Sequence, residues 1–121
     1  MVIERRKYAR IEIELPVKYN MEDKPGEPKS AKTLNISAEG LCLLSDEKLE
    51  AGKKVTIDLD LVDNKPVVNL KAQVVWSAQR EDLHAFANGI KIENIPKSSD
   101  KARFLQCYSN KLQEKIAKLQ S

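Results

Sequence analysis

The chain is poor in the residues that do chemistry. It has one histidine, His84, and two cysteines, Cys42 and Cys107, among 121 residues. Two cysteines are too few for a disulfide framework, and neither stands in a Cys-x-x-Cys pair or beside a histidine at metal-ligand spacing, so no metal site is expected. Cys42 lies in the apolar run Leu41-Cys42-Leu43-Leu44 and reads as a small buried hydrophobe. His84 reads as a surface residue near a loop. There is no recognisable carboxylate pair, nucleophile elbow or glycine-rich phosphate loop, which leaves no group of residues to fill catalytic roles. The expectation is a binding protein, not an enzyme, with no catalytic residue and no cofactor.

Aromatic residues are also scarce: one Trp, three Tyr and two Phe. A barrel that binds single-stranded nucleic acid wants several exposed rings for base stacking. With a net charge of only +3, nucleic acid is not an expected partner. No stretch approaches the roughly 20 apolar residues that cross a bilayer, so membrane insertion is not expected. Met1-Val2-Ile3-Glu4-Arg5-Arg6 lacks the apolar run of a signal peptide, and a cytoplasmic location is the default expectation. The length suits one domain with a real hydrophobic core.

What the chain does have is concentrated in two short patterns. Arg5, Arg6, Lys7 and Arg10 crowd the first ten residues against Glu4 alone, which favours an anionic partner. Within that cluster, Arg6-Lys7-Tyr8-Ala9-Arg10 offers two guanidinium forks four residues apart on a lead expected to be flexible. Each fork matches a phosphate or the O6/N7 edge of guanine. The second pattern is Asn35-Ile36-Ser37-Ala38-Glu39-Gly40. Asn35 and Ser37 both donate and accept, while Gly40 lets the backbone turn tightly or approach closely.

Around these patterns the chain reads as strands. Ile11, Ile13, Leu15, Val17 and Tyr19 alternate with mostly polar residues, predicting one strand over 11–19, with Pro16 pointing to an edge position or a bulge. Further strands are expected over 31–35, 41–44 and 55–61. Val68, Leu70, Ala72, Val74 and Trp76 share one face of a fifth strand, and the sixth spans 85–92 with Gly89 as a bulge. Ser98 or Ser99, with Asp100, is expected to start a helix. Its apolar stripe Leu105, Tyr108, Leu112, Ile116 and Leu119 is expected to pack on the barrel, with the far end able to reach a second subunit. Six short strands in so small a chain imply a sheet that curls or closes.

The order and spacing of Arg-x-x-x-Arg and Asn-x-Ser-x-x-Gly, followed by Ala72-Gln73-Val74-Val75-Trp76 and Gly89-Ile90-Lys91-Ile92, resemble the PilZ domain family of bacterial cyclic di-GMP receptors. The resemblance covers nearly the whole chain. It implies a mainly β fold, a six-stranded antiparallel barrel with a C-terminal helix, as a single unit: residues 1–10 a flexible ligand-binding segment, 11–95 the barrel, 98–120 the helix. Cyclic di-GMP is the implied ligand, with Arg6, Arg10, Asn35, Ser37 and Gly40 as motif residues. Arg5 is the position linked in the family to whether one ligand or a stacked pair binds, and an arginine there is compatible with the pair. Trp76 either stacks on a guanine or closes one end of the barrel. The implied role is a receptor that changes conformation and relays the signal to an unidentified protein target in motility, adhesion, biofilm or polysaccharide control, as a monomer or homodimer. The other reading is a protein-interaction scaffold of pilus or flagellar machinery with weak or no nucleotide binding; such members usually lack the arginines present here.

Overall fold

In the computed structural model, which describes residues 9–120, the period-2 segments become seven antiparallel strands. They are β1 Ile11–Glu12, β2 Pro16–Met21, β3 Lys29–Ile36, β4 Gly40–Ser45, β5 Lys54–Leu59, β6 Val68–Arg80 and β7 Ala85–Asn94. A single helix follows, α1 Ser98–Gln120. The hydrogen-bonded order is β1-β3-β2-β5-β6-β7-β4, and β3 also pairs with β4. That last pairing closes β2 through β7 into a six-stranded barrel, leaving β1 as an extra strand on β3. Closure leaves no long apolar edge open.

Inward-facing Ile36, Leu43, Val55, Ile57, Leu59 and Leu70 are fully buried and, with neighbours from every barrel strand, fill the interior. A barrel of this size has room for its own side chains and nothing more. Any ligand must therefore bind on the outside.

The strand expected over 11–19 is broken in two. β1 pairs Ile11 with Ile36 and Glu12 with Asn35, whereas β2 pairs Pro16 with Lys32, a register one residue out of step. The buried Thr33 makes the break: its hydroxyl donates to the Ile13 carbonyl at 2.6 Å and accepts from the Leu15 N–H at 2.9 Å. A side chain thus replaces a ladder bond just before Pro16, which has no N–H to donate.

The helix forms where expected, and Tyr108 and Leu112 of its expected stripe pack on the core, but the rest of the buried face differs. Phe104, absent from the expected stripe, is its most deeply buried residue, and Tyr108 joins the same core. Leu105, Ile116 and Leu119 are exposed, so the last turns run past the barrel. Ser98 and Ser99 lie inside the first turn. Asp100 reaches instead to β6, where it accepts from the Asn69 N–H at 3.2 Å. Arg103 makes a second tie, donating to both carboxylate oxygens of Asp63 at 3.0 Å and to the Pro66 carbonyl at 2.8 Å. Among the described residues no helix is long and apolar enough to cross a membrane.

Candidate functional site

Two β-bulges create the site by reversing the direction of particular side chains. In β3 the extra residue is Leu34: Thr33 pairs with Leu43 but Asn35 pairs with Cys42. Thr33 and Ile36 are fully buried on either side of it, so Asn35 is turned to the outer surface. In β6 the extra residue is Val75: Val74 pairs with Ile90, and Trp76 with Gly89. Val74 is in the core while Val75 and Trp76 are exposed. Bulges re-aim side chains in this way wherever one extra residue breaks the two-residue repeat.

Two expectations change as a result. Trp76 does not share the inward face of Val68, Leu70, Ala72 and Val74, and it does not close an end of the barrel. Gly89 is not itself the bulge. It faces the bulged strand, and the Trp76 indole lies so close over it that a Cβ there would run into the ring.

The register now sets Asn35, Cys42, Gly89 and Trp76 in one row across four neighbouring strands. The turn from β3 to β4 stands at one end of this row. Its Ser37 N–H donates to the Gly40 carbonyl at 2.8 Å, the Ser37 hydroxyl lies 3.4 Å from the same oxygen, and the Ile92 N–H donates to the Glu39 carbonyl at 2.9 Å. Gly40 sits against the backbone of β7, where a Cβ would meet the Ile90 carbonyl. This is the close approach that the motif glycine permits.

Arg10 comes in from the other side. Helix α1 fixes the chain there: the Tyr108 hydroxyl donates to the Ala9 carbonyl at 2.7 Å, and Lys115 Nζ donates to the Arg10 carbonyl at 3.4 Å. Residues 9 and 10, the described end of the segment expected to be flexible, are thus bonded to α1. Among the described residues, the Arg10 guanidinium has no ion-pair partner, and it lines a cavity of about 240 Å³ together with Asn35, Ser37, Gly40, Cys42 and Trp76. Arg6 and Arg5 lie outside the described residues. Among those described, no group of His, Cys, Asp or Glu is arranged to hold a metal ion.

Cys42 and Gly89 belong to this surface and were not singled out from the sequence as part of it. Alternation within β4 carried the signal for Cys42, because Leu41 and Leu43 on either side point inward. Burial pushes the Cys42 thiol up, against the opposing pull of the Asn88 backbone and of the Arg10 and Arg80 guanidinium groups. The thiol is thus a neutral, low floor for the site, consistent with its reading as a small hydrophobe.

A cationic fork, two polar side chains and an indole on one outer corner form a surface for a compact anion with a flat aromatic part. The PilZ domain family model matches residues 4–110. The chain belongs to the PilZ domain family. No curated protein matched. Among solved structures, the PilZ domain is similar to the Bacillus subtilis inhibitor of motility MotI/DgrA, at 20% identity and a TM-score of 0.71, covering 92% of this chain and 53% of that one. It thus spans about half of that protein's length. The PilZ domain with c-di-GMP of YcgR from Escherichia coli is 14% identical with a TM-score of 0.71, the match covering 98% of this chain and 99% of that one. A tetrameric PilZ domain from Xanthomonas campestris, self-assembled through a helical bundle, is 12% identical with a TM-score of 0.67, covering 91% and 89%. At such identities these likenesses establish the shared barrel-and-helix fold.

Proposed function

We propose that this PilZ domain is a receptor for cyclic di-GMP, bound on the outer corner of the barrel. The observation that carries the reading is the convergence of Arg10, Asn35, Ser37 and Trp76 on one cavity, with Asn35 and Trp76 turned there by the two bulges. Arg10, with Arg6 from the same motif, supplies forks for the phosphates or for the O6/N7 edge of guanine. Arg5, next to Arg6 in the sequence, adds a further cation. Asn35 and Ser37 hydrogen-bond a guanine, Trp76 offers its ring for stacking, and Gly40 keeps β4 close to β7. The similarity to the PilZ domain with c-di-GMP of YcgR supports the same ligand.

Each bidentate arginine–guanine contact discriminates by roughly 1–3 kcal/mol. Several such bonds to one small dianion support submicromolar binding, near −8 kcal/mol. The bound nucleotide would bridge the N-terminal arginines to the barrel, and that composite surface is what a protein target would read. A receptor of this kind acts by changing shape, not by turning over a substrate, and a cytoplasmic site of action fits it. The control of motility named for MotI/DgrA is one process such a receptor serves.

Calorimetric titration with cyclic di-GMP, and with GTP as control, tests the reading. The expected result is submicromolar binding of the cyclic dinucleotide alone, with Arg10→Ala and Ser37→Ala each weakening it by about 10- to 100-fold and leaving the fold intact. No heat with cyclic di-GMP, or equal binding of both nucleotides, would end it.

A further inference from the structure

The site cavity of about 240 Å³ falls short of the ~300–1,000 Å³ of ordinary small-molecule pockets. A dinucleotide with two guanines and two phosphates needs more. Beyond Trp76 the outer face of β6 continues with Ala78 and Arg80, two residues apart each time and so on one side of the strand. Opposite them on β7, Trp76 faces Gly89, Ala78 faces Ala87 and Arg80 faces Ala85. The methyl side chains keep the surface low between the indole and the guanidinium. A second cavity of about 690 Å³ occupies that space. It shares Arg10, Asn35, Cys42 and Trp76 with the first, and ends at Arg80 and Leu83.

Arg80 is held for contact. Its Nε donates to Asp82 Oδ1 at 3.0 Å and its Nη2 to Asp82 Oδ2 at 2.8 Å, so Asp82 orients the planar group through its Nε/Nη2 edge and leaves the Nη1/Nη2 edge for another acceptor. The remaining N–H donors stay available on a side chain that is 44% exposed. Arg10, Cys42 and Arg80 all line this one cavity. Glu12 and Glu14 also border this cavity. Glu14 is paired with Lys32 at 3.2 Å, and Glu12 leaves an acceptor for the N–H edge of a guanine.

A third cavity lies toward α1, lined by Arg10, Lys111 and Lys115 among others, but neither Ser37 nor Trp76 borders it. The continuation of the site therefore runs past Trp76 and not under the helix.

We propose that Arg80 is a ligand-binding residue of this domain, the far guanidinium of an extended site in which Trp76 is the middle and Arg10 the near end. The inference rests on the cyclic di-GMP reading and adds to it a contact from outside both motifs. The ligand group facing Arg80 is a phosphate or the O6/N7 edge of a guanine, the two groups of this ligand that a fork of N–H donors fits.

The test is calorimetric titration of the full chain with cyclic di-GMP for wild type, Arg80→Ala and Arg80→Lys, with thermal midpoints measured alongside. Arg80→Ala is expected to weaken binding at least tenfold at an unchanged midpoint, because the side chain is exposed and its ion pair lies within one turn. Arg80→Lys retains the charge and loses the fork, so its affinity should fall between the two, and it decides the matter should the alanine variant fail to fold. Wild type that binds while both variants bind within twofold of it overturns this inference alone. Wild type that takes up no cyclic di-GMP overturns the receptor reading and this inference together.

Discussion

Gly40 and Gly26 differ in what surrounds them, and the difference says what the motif glycine is for. A Cβ on Gly26 meets nothing, whereas one on Gly40 runs into the Ile90 carbonyl of β7. The obstacle is backbone in the middle of a paired strand, so it cannot swing aside as a side chain would. Gly40→Ala is therefore expected to push β4 away from β7, lower stability by about 1–3 kcal/mol and disturb the Ser37 turn that bonds to the Gly40 carbonyl. Gly26→Ala should leave the urea midpoint unchanged; equal midpoints for the two variants would refute the steric account. At this scale the motif chemistry was legible, since donors, acceptors and a glycine can be read from residue types alone. The direction of a side chain was less so. Trp76 looks inward by counting twos from Val68, and a single extra residue at Val75 reverses it. No residue type announces that insertion.

Elements were read well wherever the signal is local. The alternation of Val55, Ile57 and Leu59 predicts β5, and the glycine at position 52, with φ of 91°, turns the chain before it. Pro16 marked an irregularity in the strand expected over 11–19, but the full break between β1 and β2 was not legible because its cause, Thr33, belongs to another strand. The helix stripe was legible only in part for a similar reason: Tyr108 and Leu112 pack on the core as expected, but Leu105 and Phe104 are adjacent, and only the docked barrel decides which one is covered. That docking depends in part on charge. The Arg103 guanidinium holds the Asp63 carboxyl below the usual carboxylate range. A carboxyl depressed in the folded state adds stability at neutral pH, and this is lost as pH falls through its lowered value. The tie between α1 and the loop after β5 should therefore weaken below about pH 4. Circular dichroism melts at pH 7 and pH 3 check this: Arg103→Ala should lower the midpoint at pH 7 and narrow the gap to wild type at pH 3. A gap that stays constant across that range would remove the electrostatic account.

For the whole molecule, the barrel interior is filled by its own side chains, so the candidate site lies on the outer surface, and helix α1 links that surface to the rest of the fold. Its start is tied to β6 and the loop after β5 through Asp100 and Arg103, its middle supplies Phe104 and Tyr108 to the core, and the Tyr108 hydroxyl holds the Ala9 carbonyl at 2.7 Å. The helix thus positions the residue just before Arg10, at the edge of the candidate site. Tyr108→Phe keeps the buried ring and removes that bond. Its effect on stability should be small, about 0.5–1.5 kcal/mol, while Arg10 loses a support that orients it before the ligand arrives. The expected outcome is a several-fold loss of cyclic di-GMP affinity, seen by calorimetry, with faster hydrogen exchange at the amides of residues 9–12. Combining Tyr108→Phe with Arg10→Ala should then cost no more affinity than Arg10→Ala alone, since the tyrosine acts through the arginine. Additive losses in the double variant would mean that Tyr108 affects binding by some other route.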